Sequence, residues 1–241
     1  MIMRKKIETS FLSFIVILAI LVIFSSKHSY SYEFYGWEHG AAGYNLARSY
    51  ALESEKPLIL YFHLEPSIWN ERMNNEYLAN YLIESYLKDI PRAELDPDKG
   101  IPENKIISQY EVEAFPAFLV LIPSINDEFK RIHPFGETDL SVQEFLNNLK
   151  ETISYEYNSL AFSYFEKKDY ENALKYYELS SRYNPESAYI YYAIGMIYNY
   201  MYHNQKGNTD FLKKAEENYK KALELDPGHA ESKEALEKLK K

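Results

Sequence analysis

Two segments of the chain repeat one another about 34 residues apart, and this periodicity limits the second half to stacked helical hairpins. The first runs Tyr157-x-x-Leu160-Ala161-x-x-Tyr164, then Ala173-x-x-x-Tyr177-x-x-Ser180, then Pro185. The second runs Tyr191-x-x-Ile194-Gly195-x-x-Tyr198, then Ala215-x-x-x-Tyr219-x-x-Ala222, then Pro227. Small residues at 161, 173, 195 and 215 let paired helices approach closely, and the prolines punctuate helix ends. Gly195 to Ala215 is 20 residues where Ala161 to Ala173 is 12, so eight residues are inserted. They fall around His203–Thr209, a polar stretch that reads as an exposed loop. Gly228 to Lys241 carries Ala230, Leu236 and Leu239 among charges, the pattern of a capping helix.

In spacing and residue type these segments are similar to tetratricopeptide (TPR) repeats. The resemblance implies an all-α array over 153–241, made of two repeats and a capping helix, with an inner groove for peptides or partner helices. By helical phase Tyr155, Phe162, Phe165, Tyr189, Tyr192, Met196 and Tyr200 lie off the packing face, which makes them the candidate groove residues. A basic groove gripping carboxylate tails is not evident, with Asn158 and Phe162 at inner positions. Two repeats alone are marginal, and no Pro or Gly separates the preceding helix from the first repeat. The preceding domain is therefore expected to serve as the array's N-terminal cap.

Before Ile153 the periodicity keeps changing, as in mixed α/β structure. Gly40–Glu55 has apolar residues at helical spacing, among them Leu46, Ala47, Tyr50, Ala51 and Leu52. Leu58–His63 is a buried-type strand, and Asn70–Leu87 a helix with Met73, Tyr77, Leu78, Tyr81, Leu82 and Tyr86 on one side. Ile90–Leu95 is a second strand, Asn104–Tyr110 a short helix, and Val112 to Ile122 contains Phe115-Pro116 ahead of an apolar strand. Proline cannot donate to a sheet ladder, so Pro116 belongs at a strand's first residue, at an edge or in a cis bond. Phe129–Pro134 returns after a turn, and Val142–Ile153 is a helix burying Phe145, Leu146, Leu149 and Ile153.

The order helix, strand, helix, strand, helix, strand, hairpin strand, helix resembles the thioredoxin-like fold over roughly residues 34–152. Tyr61-Phe62-His63-Leu64-Glu65-Pro66-Ser67-Ile68-Trp69-Asn70 resembles that family's active-site segment, in which an aromatic strand leads to Cys-x-x-Cys and a helix. Trp37, Lys56-Pro57, Met73 and Val112-x-x-x-Pro116 fit the same pattern, closest to its exported group. The resemblance implies a cis bond at Phe115–Pro116 and a groove there that could pair with an extended peptide.

The departures from that family decide the chemistry. Ser67 and Asn70 stand where the cysteines would be, and the chain contains no cysteine at all. Dithiol exchange needs a thiolate of lowered pKa and a second, resolving thiol, so intrinsic redox activity is not expected. Disulfides, thiolate metal ligands and a lipoprotein cysteine are excluded with it. No Gly-x-Ser-x-Gly elbow surrounds Ser67, which is read as a helix cap, with His63 a strand-end residue. The six histidines show no metal-ligand spacing and no Gly-rich phosphate loop is present, so neither a metal nor any other cofactor is expected. A net charge of −9 argues against nucleic acid as a partner.

At the N-terminus Arg4, Lys5 and Lys6 precede the apolar run Phe11–Phe24, and small residues follow before Tyr32. This reads as a signal peptide or signal anchor over 1–31, with possible membrane anchoring through 11–26. The rest is then extracytoplasmic, in a periplasm or on the outer face of the inner membrane. Together these readings describe an exported, non-catalytic adaptor for a protein or peptide of the cell envelope. The alternative is a partner-dependent subunit of a thiol-redox or cytochrome-maturation type system, or a Cys-free holdase chaperone using the cis-proline groove. Self-association through the repeats is a third possibility.

Overall fold

The computed structural model describes residues 34–204 and 208–239. The expected signal segment, 1–31, lies outside them. Five strands form one mixed sheet in the order β1-β3-β2-β4-β5. They are β1 (Glu38–His39), β2 (Leu58–Phe62), β3 (Arg92–Leu95), β4 (Ala117–Leu121) and β5 (Phe129–Ile132). The strands β1, β3 and β2 run parallel, while β4 is antiparallel to β2 and β5 antiparallel to β4. Every residue of β2 and β4 is buried, because helices cover both faces of the sheet.

Alternation along the strands divides the core. Leu58, Leu60 and Phe62 join Leu119 and Leu121 in a cluster with Tyr44 and Ala47 of α1 (Gly40–Glu53) and with Ile106 and Tyr110 around α4 (Ile101–Gln109). There the Tyr44 and Tyr110 hydroxyls lie 3.0 Å apart. On the opposite side Phe118 meets Phe145 at 5.3 Å between ring centres, and Phe145 meets Tyr77 at 5.2 Å. In α1 the buried residues are Gly43, Tyr44, Ala47 and Ala51, while Leu46, Tyr50 and Leu52 are exposed. The inward face is thus narrower than the apolar spacing implies.

The helix expected over 70–87 is three pieces: α2 (Ile68–Arg72), a π-helical segment (Met73–Leu78) and α3 (Tyr81–Leu87). The wider π turn and a fresh start under Asn80, whose side chain accepts from the Leu82 amide, reset the helical phase. Ile83 and Leu87 are therefore buried in α3, and Tyr81, expected on the inner side, is exposed.

The helix after the sheet does not stop at Ile153. It is α5 (Val142–Glu166), 25 residues capped by a reciprocal Ser141–Glu144 capping box, and it continues through 152–153 into the first repeat. Its partners follow as α6 (Tyr170–Tyr183), α7 (Ala188–Asn204), α8 (Thr209–Leu225) and α9 (Ala230–Leu239). Ala161, Ala173, Tyr177, Ile190 and Ile197 are among the buried residues of the repeat core. The eight-residue insertion is not an extended loop. Helix α7 runs nine residues past Gly195 where α5 ends five past Ala161, and α8 begins six before Ala215 where α6 begins three before Ala173. Longer helices thus absorb seven of the eight residues. The mixed sheet flanked by helices and the helical pairs that follow it fit a thioredoxin-like region and a TPR-like helical region.

Candidate functional site

Residues 67–70 lie where β2 passes into α2. Ser67 occupies the N-cap position with extended backbone, as read from the sequence, although its side chain makes no capping hydrogen bond. Its amide instead donates to the Glu65 carboxylate at 3.4 Å. Asn70 is fully buried, and its amide nitrogen donates to the Leu64 carbonyl, tying the start of the helix back to the strand end. Ser67 is thus a half-buried hydroxyl and Asn70 a structural tie. The Glu65–Pro66 bond beside them is cis, as is Phe115–Pro116.

His63 turns towards β3 and not towards Ser67. Its Nε2 lies 2.6 Å from one oxygen of Glu94, and His39 Nδ1 lies 2.8 Å from the other. Strand register creates this group: Glu94 pairs with His39 on β1 and with Tyr61 on β2. Burial raises the Glu94 carboxyl pKa, but the hydrogen bonds with His63 and His39 outweigh it and leave the group below its ordinary value. The His63 ring packs against both Phe34, at 5.2 Å, and Tyr61, at 5.3 Å, which also touch each other at 5.8 Å. Sequence spacing carried no sign of this cluster, since its members are 24 to 55 residues apart. Each imidazole takes a different carboxylate oxygen, and among the described residues no group of His, Cys, Asp or Glu is placed to hold a metal ion.

Beside the cis Phe115–Pro116 bond is an open cleft of about 320 Å³, walled by Trp69, His133, Pro134 and Phe135. Trp69 and Phe135 face each other at 5.3 Å, and the Arg72 guanidinium lies 4.8 Å from the Phe135 ring centre. Arg72 also binds Glu76 and Asp139, each at 2.9 Å, which fixes it against the rings. Phe115 and Pro116 are both half-buried at the cleft wall.

A larger groove of about 670 Å³ lies where α5 faces the α6–α7 turn. Tyr155, Phe162 and Tyr189 line it, respectively 65%, 45% and 49% exposed. Neutral polar groups make up most of the remaining wall, including Asn147, Ser154, Asn158 and Asn184. Its Lys150 and Glu186 neutralise one another at 2.8 Å. The Asn158 amide oxygen is buried and has no hydrogen-bond partner.

The other four candidates lie elsewhere. Phe165 and Tyr200 pack on each other at 5.2 Å and on Tyr170. Tyr192 contacts Tyr219 and His229, and Met196 is half-buried on α7. The seven aromatic and Met positions therefore do not form one surface. Helical phase could separate packing residues from the rest but could not tell which of the rest would be covered by α9 or by each other. It also missed Asn147 and Lys150, which belong to no repeat and enter the groove because α5 is continuous.

No protein-family model and no curated protein matches the chain. Among solved structures it is similar to a thioredoxin from Thermus thermophilus, at 21% identity over 48% of this chain and 86% of that one, with a TM-score of 0.39. It is also similar to DsbH oxidoreductase, at 17% identity over 53% and 90% with a TM-score of 0.40. A third likeness is to the first TPR of Spaghetti (RPAP3) bound to HSP90 peptide SRMEEVD, at 21% identity over 41% and 76% with a TM-score of 0.31.

Proposed function

We propose that this chain is a non-catalytic adaptor that holds a protein or peptide partner in the groove between α5 and the α6–α7 turn. The observation that carries the reading is the exposure of Tyr155, Phe162 and Tyr189 around a concave, largely neutral wall. Aromatic side chains bring large contact area at low conformational cost, and such residues dominate binding energy at protein interfaces. Without cysteine, the thioredoxin-like domain acts as a scaffold and binding surface, not as a dithiol catalyst. The location we propose, outside the cytoplasm and exported or anchored, rests on the sequence pattern of residues 1–31.

The test is equilibrium binding of fluorescently labelled, carboxymethylated casein, a permanently unfolded chain, to the wild type and to Phe162→Ala/Tyr189→Ala. The expected result is binding that the double variant weakens about ten-fold or more, the size of one to two interface anchors. Equal binding by both proteins would remove the groove from the reading.

The cleft beside Phe115–Pro116 favours a second reading, a Cys-free holdase or a partner-dependent subunit of a thiol-redox or cytochrome-maturation type system. Trp69 is 47% exposed at its rim and offers an apolar seat there. Insulin-reduction turnover by the purified protein alone would contradict both readings.

A further inference from the structure

The two clefts described above are not isolated from one another. Between them is a third, of about 190 Å³, where Arg131, Ile132 and His133 at the end of β5 face Asn148, Glu151 and Thr152 of α5. His133 walls both this cleft and the Trp69–Phe135 cleft, and Glu151 walls both this cleft and the repeat groove. The three adjoin in series, and α5 floors two of them, the middle cleft and the repeat groove, from Asn148 to Phe162. At ~1.5 Å per residue that stretch of helix is ~21 Å long, the reach of about six extended residues. β5 is the last strand in the sheet order, so among the described residues its outer edge pairs with no strand.

We propose that these clefts form one track for a single extended polypeptide segment, which crosses from the thioredoxin-like domain to the repeats. The proposal rests on the protein-binding reading above and deepens it. The narrow middle cleft, about 190 Å³, and the outer edge of β5 beside it favour an extended segment over a helix ~10 Å across. The wall chemistry sets how the segment is read. Asn147, Asn158 and Asn184 bring side-chain amides, suited to backbone N–H and C=O groups, to the wall. Among the charges that line the track, Lys150 pairs with Glu186 and Arg131 donates to the Tyr110 and Glu111 carbonyls, while Glu151 is exposed where the middle cleft meets the repeat groove. Apolar side chains of the segment then have a seat at each end, beside Trp69 and Phe135 and beside Tyr155 and Phe162.

A one-segment track makes affinity depend on length, because the second contact forms at the high effective concentration set by the first. The probe is carboxymethylated casein, cut into nested peptides of about 6 and about 16 residues around its strongest-bound segment. The longer peptides reach at most ~50 Å. Anisotropy titrations with the full chain are expected to give the longer peptide about ten-fold or more tighter binding than any short one. Trp69→Ala and Tyr155→Ala are each expected to weaken the long peptide, while a given short peptide responds to only one of them. Both residues are exposed, at 47% and 65%, and an unchanged melting temperature confirms that the variants fold. If long and short peptides bind equally, or if Trp69→Ala leaves the long peptide's affinity unchanged, the track is overturned while groove binding stands. Absence of binding by any casein peptide overturns both.

Discussion

The Tyr157 hydroxyl donates a 2.6 Å hydrogen bond to the carbonyl oxygen of Glu55, joining residues 102 positions apart across the junction between sheet domain and repeats. Glu55 also receives Lys175 at 2.6 Å, and the Tyr86 hydroxyl donates to the Tyr183 carbonyl at 3.1 Å. Tyr183 in turn stacks on Tyr157 at 5.6 Å with the rings nearly parallel. With α5 running unbroken through the junction, the two parts share one framework. Removing the bond strands a carbonyl in a partly buried site, so Tyr157→Phe should cost about 1–3 kcal/mol. For a chain of this size each 1 kcal/mol lowers Tm by roughly 2–4 °C. Calorimetry should show one transition for the wild type and one, shifted down, for the variant. Two separate wild-type transitions would contradict the shared framework.

Ser67 and Asn70 should respond differently to substitution. Asn70→Leu removes the donor to the Leu64 carbonyl inside a fully buried site and should cost about 1–3 kcal/mol in urea unfolding. Ser67→Ala should change stability by less than about 0.5 kcal/mol, although a capping serine is typically worth ~1 kcal/mol, because this hydroxyl makes no capping bond. A large effect at Ser67 with none at Asn70 would reverse the assignment.

Gly195 allows α7 and α8 to touch. A methyl there would lie 2.8 Å from the Tyr219 ring and 3.1 Å from the Ala215 carbonyl oxygen. Gly195→Ala should therefore destabilise by about 1–3 kcal/mol despite its better helix propensity. Stabilisation would mean that the helices are further apart than described.

Alkaline pH should unfold the protein. Burial pushes the phenols of Tyr86, Tyr110, Tyr157, Tyr177 and Tyr219 above their ordinary 10.0, and that of Tyr183 up to about 12. A raised pKa means the folded chain holds protons that the unfolded chain has released. Stability is therefore full below pH 10 and falls as pH rises through about 12. Tyrosinate absorbance should rise in two stages, exposed phenols first and buried ones together with loss of helical circular dichroism. A single gradual titration near pH 10 with no unfolding would contradict the burial of these rings.

Much of this architecture could be read along the chain because local pattern and tertiary environment agree. Leu58–Phe62 is apolar throughout and lies in a strand covered on both faces, and the small residues at 161, 173, 195 and 215 mark close helix pairs. The reading broke down where tertiary structure redirected the chain. No residue between 73 and 78 announces a π turn, so the face assigned to Tyr81 was misplaced by the reset at Asn80. The His39–Glu94–His63 group exists only through strand register. The groove was half legible: the repeat pattern indicated Tyr155, Phe162 and Tyr189, whereas Asn147 and Lys150 join them only because α5 crosses the domain junction.

The most direct test of partner binding is photo-crosslinking from a benzoyl-phenylalanine placed at Tyr155, at Tyr189, or at Tyr81, which is 71% exposed on α3 and outside the groove. With carboxymethylated casein as the partner, discrete crosslinked species are predicted from positions 155 and 189 and none from position 81. Equal crosslinking from position 81, or none from the groove, would contradict the assignment of the groove as the binding site.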